Sequence, residues 1–190
     1  MLIHREVVIN MFFLQMAGFP GSGKSTLARQ ISKRTGAVIV DHDIVKSALL
    51  ESMNIEHNDQ GLGKVAYDIE WAMIDFHLSQ GHSIILDSPC FYTEMVDKGI
   101  SLSKKHNAPY KYVECYLNEL TEIKHRLKKR KSMISQIQEV VSEKAFCEWV
   151  ENSKKPTDTE WLRIDSGKPI ESYIDDVMKY VNKSENQNDD

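Results

Sequence analysis

Residues Gly18-Phe19-Pro20-Gly21-Ser22-Gly23-Lys24-Ser25 fill the pattern G-x-x-x-x-G-K-[ST] at every fixed position. The run before them, MFFLQMA from Met11 to Ala17, has the apolar and aromatic composition of a buried strand. The run after them, LARQISKR, carries helical periodicity. A strand that ends in a glycine loop and feeds a helix N-terminus turns backbone N–H groups inward, and the helix dipole adds positive potential at the same place. Gly18, Gly21 and Gly23 let the backbone approach an anion closely. A triphosphate is the natural ligand, with the backbone from Gly18 through Ser22 and Gly23 as its cradle. Lys24 reaches the β and γ phosphates, Ser25 coordinates Mg²⁺ and Thr26 donates to the α phosphate.

The loop fixes how the flanking sequence is read. The apolar stretch Val7 to Ala17 follows His4 and Arg5, as a secretory leader would, but removing it would strip the loop of its supporting strand. Asn10 and Gln15 interrupt it, and it falls short of the roughly 20 residues that span a bilayer. Met11 to Ala17 is therefore the first strand, and residues 1–10 either extend it or form a separate arm. Further short apolar runs read as strands at Ala37–Val40, Ser83–Leu86, Tyr110–Leu117 and Trp161–Ile164. Helical spacing alternates with them at Ile44–Met53, Lys64–Gln80, Thr93–His106, Leu120–Arg130, Ile137–Val150 and Ile170–Val181. In the second of these helices Val65, Ile69, Ala72 or Met73, and Phe76 share one stripe, expected to pack on the core. The alternation predicts an α/β fold, a five-stranded parallel sheet with helices on both faces. The polar tail 184–190 is expected to be flexible.

At 190 residues the chain is expected to form one domain over residues 1–183. Its 24 Lys and Arg against 28 Asp and Glu give a net charge of −4, so no global basic field advertises nucleic acid or an anionic membrane. Six of those cations nevertheless fall between Lys124 and Lys131. Cys90, Cys115 and Cys147 are widely spaced, form no CxxC pair and have no histidine at metal-ligand spacing, which points to a reducing, cytoplasmic setting.

The chain lacks N-K-x-D and L-S-G-G-Q, which disfavours a GTPase or a transporter-type ATPase. In length and order of elements it resembles the small P-loop kinases of the AAA and nucleoside-monophosphate-kinase-like type. These include gluconate and shikimate kinases, chloramphenicol phosphotransferase, zeta-toxin kinases and polynucleotide 5′-hydroxyl kinases. The resemblance implies the P-loop NTPase fold with a small helical lid at about 126–155. It also implies ATP and Mg²⁺ as cofactors and transfer of the γ-phosphoryl group to a hydroxyl of a small-molecule acceptor.

Asp43-Ile44-Val45-Lys46 stands where these kinases carry D-x-x-R, whose Asp takes the hydroxyl proton and whose cation holds the acceptor. Asp43 is thereby the general base, with N-cap of a helix from Ile44 as its structural alternative, and Asp41 able to exchange roles with it. Lys46 in place of Arg loses the bidentate grip on phosphate. The run Ser83 to Asp87 resembles a Walker B strand, which implies that Asp87 orients Mg²⁺ or touches the acceptor. Its alternative is to satisfy turn amides before Pro89. Ser88 and Cys90 are candidates for lining the acceptor pocket. Arg126 and Arg130, four apart on one helix face, resemble a lid entry, the first covering adenine and the second approaching the transferring phosphates. Asp165-Ser166-Gly167 stands either at the adenine level or as a plain turn. Two other readings stay open: a polynucleotide 5′-hydroxyl kinase, and a nucleotide-dependent switch with no acceptor of its own.

Overall fold

The computed structural model describes residues 11–54, 60–137, 139–140 and 142–183. The expectations for residues 1–10 and for the tail 184–190 lie outside them. β1 (Phe13–Ala17) is buried at every residue and occupies the centre of an all-parallel sheet. Its order is β2-β3-β1-β4-β5, with β2 at Val38–Asp41, β3 at Ile84–Asp87, β4 at Tyr110–Tyr116 and β5 at Leu162–Asp165. The helices are α1 (Lys24–Thr35), α2 (His42–Met53), α3 (Gln60–Ser79), α4 (Thr93–Lys105), α5 (Leu120–Lys129), α6 (Glu143–Asn152) and α7 (Ile174–Asn182). The chain leaves β1 toward β2 on one side and reaches β4 on the other, so the glycine loop sits at the point where the strand order reverses, where open α/β sheets bind ligands.

Alternation along β1 divides the core between the two sheet faces. Leu14 and Met16 pack with Leu27 and Ile31 of α1 and with Ile174, Val177 and Val181 of α7. Phe13 and Ala17 face the other layer, with Trp71, Ile74 and Leu78 of α3 and Met95 and Val96 of α4. Each Leu, Ile, Val, Met and Phe side chain among them contributes roughly 1.5–3 kcal/mol by burial. Gln15, the polar break in the first strand, is fully buried and satisfied: it donates to Cys90 Sγ at 3.2 Å and accepts from Tyr110 Oη at 2.9 Å.

Three helical expectations are corrected. In α3 the stripe Val65, Ile69, Ala72, Met73 and Phe76 faces outward, Phe76 being 60% exposed. The core-facing residues are Leu62, Ala66, Trp71, Ile74 and Leu78. Both sides of this helix are apolar at helical spacing, and the side bearing Trp71 seats edge-on against Phe13, with centroids 6.3 Å apart. In α2, which starts at His42 instead of Ile44, the buried residues are His42, Ser47 and Leu50, while Met53 is exposed. The helix expected from Ile137 begins only at Glu143. Ahead of it, Ser135 and Gln136 hydrogen-bond to Asp43 and Ser47 of α2.

Candidate active site

The glycine loop has the shape its sequence implies. Gly18 has φ +133°, and a Cβ there would lie 2.3 Å from the Cys115 carbonyl oxygen, so only glycine fits. Gly23, with φ 95°, caps α1 without a side-chain hydrogen bond, and the first turn carries no acidic residue. The N–H groups of that turn are left for an anion. Lys24 is buried and donates to the carbonyls of Gly18 at 2.8 Å and Phe19 at 3.4 Å. Ser22 is buried, and its Oγ has no partner among the described residues.

Beside this loop two carboxylates stand abreast, because Asp41 and Asp87 are register partners at the ends of β2 and β3. Burial pushes the Asp87 carboxyl above its ordinary range, opposed by the nearby Lys24 charge and a hydrogen bond with Ser25. Its Oδ2 is buried with no partner among the described residues. An unsatisfied buried carboxylate oxygen beside Ser25 suits a hard cation that keeps waters and phosphate oxygens in its shell. No group of three or more His, Cys, Asp or Glu that could hold a metal occurs among the described residues. Ser25 and Asp87 therefore fit Mg²⁺ only as partners of a bound phosphate chain.

Asp41, not Asp43, is the N-cap of α2, its side chain accepting from the backbone N–H of Asp43 at 2.9 Å and of Ile44 at 3.4 Å. Burial first, then the charges of Asp87 and Asp43, push its carboxyl up to about 6. Asp43 lies in the first turn of α2 and lines a cleft of about 1180 Å³ that extends from the glycine loop. Its Oδ2 accepts from Gln136 Nε2 at 2.8 Å. Lys46 and Lys64 line the same cleft, as do Tyr67, Phe91, Tyr92 and Trp149.

Sequence reasoning missed four of the residues here: His42, Glu70, Ser135 and Gln136. His42 is buried and its Nδ1 lies 2.8 Å from Glu70 Oε1, a residue only 1% exposed. Its ring stacks on Tyr67 with centroids 4.2 Å apart. Gln136 and Ser135 reach α2 from the far side of the cleft. The one signal for the first pair was a glutamate on the sheet-facing side of α3, visible only once the correct stripe is known. Ser88 and Cys90, expected to line the acceptor pocket, are instead buried behind it: Ser88 Oγ donates to Tyr67 Oη at 3.2 Å. Burial pushes the Cys90 thiol up to about 11, which makes it a packing residue.

The two arginines diverge. Arg126 donates through Nε to Glu122 Oε1 at 2.8 Å and through Nη2 to the Ser166 carbonyl at 3.1 Å, which lays it across Gly23 and the turn after β5. That turn is closed by Asp165 Oδ1 accepting from Gly167 N–H at 3.1 Å. Arg130 donates to the Ile137 carbonyl. Burial lowers its guanidinium from the ordinary value, and Asp43 opposes that shift.

A strand-loop-helix phosphate cradle at the switch point of a parallel sheet defines a P-loop NTPase fold. A family profile described as "AAA domain" matches residues 14–156, and the chain belongs to that family. No curated protein matches it significantly. Solved structures similar to it include several kinases. A gluconokinase from Sinorhizobium meliloti is 14% identical, with a TM-score of 0.59, over 91% of this chain and 92% of that one. The APS kinase CysC of Mycobacterium tuberculosis, in complex with AMPPNP and APS, is 12% identical, with a TM-score of 0.63, over 92% and 99%. Kti12 from Chaetomium thermophilum with ADP-AlF3 is 15% identical, with a TM-score of 0.61, over 90% and 100%. These likenesses establish the fold. Among the described residues no helix is long and apolar enough to cross a membrane.

Proposed function

We propose that the protein is an ATP-dependent kinase that transfers the γ-phosphoryl group to a hydroxyl of a small molecule. The observation that carries this reading is the single cleft lined at once by Lys24, Ser25, Asp87 and Asp43. At about 1180 Å³ it exceeds the roughly 300–1,000 Å³ of a site for one ligand. Gly21 and Gly23 hold the phosphates through backbone N–H groups, with Thr26 at the α phosphate, while Gly18 and Ser22 lie behind the cleft and shape the loop, the Ser22 N–H donating to the Phe19 carbonyl at 2.9 Å. Lys24 leaves its loop carbonyls to meet the β and γ phosphates, and Arg126 lies over the nucleotide end. Mg²⁺, held by Ser25 and Asp87, would neutralise charge on the β and γ oxygens. Arg130 adds positive charge near the transferring group. Asp43 accepts the hydroxyl proton, since Asp41 spends its oxygen on the α2 cap. Lys46 faces the acceptor as a point charge.

The gluconokinase and the APS kinase among the neighbours support a small acceptor. The mildly acidic net charge speaks against a polynucleotide track. ADP release from ATP and Mg²⁺, measured against sugars, sugar acids, APS, nucleosides, antibiotics and 5′-hydroxyl oligonucleotides, tests the reading. A small-molecule class should accelerate release above the acceptor-free rate. Acceleration by oligonucleotides alone would move the protein to the polynucleotide kinases, and acceleration by none would make it a nucleotide switch.

A further inference from the structure

We propose that Gln136 is the positioning residue of Asp43: its amide holds one carboxylate oxygen and so turns the other toward the acceptor while residues 133–137 rest on α2. The inference builds on the kinase reading and assigns to that segment a part in the acceptor site. The orientation of the amide follows from its two contacts. Gln136 Oε1 accepts the Met133 N–H at 3.2 Å, so Nε2 is the atom presented to Asp43 Oδ2, at 2.8 Å. The flipped amide would set oxygen against a carboxylate and nitrogen against an N–H, losing both hydrogen bonds.

The backbone around this contact is fixed by a consistent set of protons. Ser135 Oγ donates to the Asp43 carbonyl at 3.0 Å, which uses its only hydrogen. Ser47 Oγ then donates to Ser135 Oγ at 2.8 Å and accepts the Ser135 N–H at 3.3 Å. On its other flank Asp43 N–H is tied to the Asp41 cap. The carboxylate is thus held through its Oδ2 and its backbone is held on both sides. Oδ1 has no hydrogen-bond partner among the described residues, and Asp43 lines the cleft. Arg130 anchors the same segment by donating to the Ile137 carbonyl.

Asp43 stands among the charges of Asp41 at the end of β2, Asp87 of β3, Glu70 of α3 and Arg130 after α5, and shares its cleft with Lys24 of α1 and Lys46 of α2. Three of these are carboxyl groups, so a neutral donor that prefers the ionised form has work to do there that a glutamate could not replace. The test uses the full chain with ¹³C-labelled aspartate. In Gln136→Ala the titration midpoint of the Asp43 carboxyl is expected to rise, and in Gln136→Glu to rise further, because a donor is lost and then a like charge added. A midpoint unchanged in both variants overturns the proposal.

The second arm measures turnover of Mg²⁺-ATP with water as the phosphoryl acceptor. Gln136→Ala should lower kcat about tenfold in the native background and less than about twofold in Asp43→Asn. Equal losses in the two backgrounds would mean that Gln136 acts elsewhere, and would also overturn the proposal. Absence of any ATP turnover in the unmutated chain would count against the kinase reading, while the carboxyl titration would still decide the role of Gln136.

Discussion

The two ends of the cleft are built on different principles. The phosphate end is local: nine consecutive residues, Gly18 to Thr26, turn a strand into a helix and leave backbone N–H groups pointing at one place. The end facing α2 is assembled across the chain, with Asp43 meeting Gln136 from 93 residues away and His42 meeting Glu70 from 28. Backbone dipoles suffice to hold a phosphate, and a short motif can encode them. Aligning a hydroxyl needs side chains at fixed angles, and only tertiary packing brings those together.

Substitutions can break this contrast, and the largest effect is expected at the local end. Lys24→Ala should lower phosphoryl transfer by at least about 10³-fold, since the charge it supplies has no substitute in the loop. A steady-state assay at saturating ATP reads this directly. Asp43→Asn should lower turnover by roughly 10²- to 10⁴-fold, while AMPPNP affinity by calorimetry stays within about twofold. Loss of both together would show that the two ends are not separable.

Asp41→Asn separates capping from charge. The Asp41 carboxyl rises from an ordinary 3.8 to about 6 in the fold, so the folded chain binds its proton more tightly than the unfolded one. The stability this proton confers is complete below about pH 4 and is lost as pH rises through 6, a loss of roughly 3 kcal/mol by neutrality. Asparagine keeps the capping oxygen without the charge. The variant should therefore gain about 1–3 kcal/mol in urea unfolding at pH 7 and little at pH 4. A variant less stable at pH 7 would contradict the burial assigned to Asp41. The smallest effect belongs to the outward stripe of α3: Phe76→Ser should change stability by less than about 0.5 kcal/mol, because that ring is 60% exposed.

The parallel sheet and the phosphate loop were legible in the sequence because strand runs, a glycine loop and a following helix are contiguous signals. The face of α3 was not. Its residues are apolar at helical spacing on two sides, and periodicity names stripes without saying which one meets a sheet. The start of α2 was displaced by two residues for a related reason: Asp41 and Asp43 are both good caps, and the choice follows from where β2 ends. Arg126 and Arg130 share a helix face in sequence, yet one reaches Ser166 and the other the segment at Ile137, a divergence set by the chain beyond α5. Gln136 carried no signal at all, since its partner is fixed by the fold alone.

The central claim is that both ends serve one transfer. Phosphorus-31 NMR of the protein with Mg²⁺-ATP and the acceptor that most accelerates ADP release tests it most directly. The account predicts a new phosphomonoester resonance growing in step with ADP, abolished by Lys24→Ala and slowed by Asp43→Asn. Inorganic phosphate appearing alone, with no phosphorylated acceptor, would contradict it.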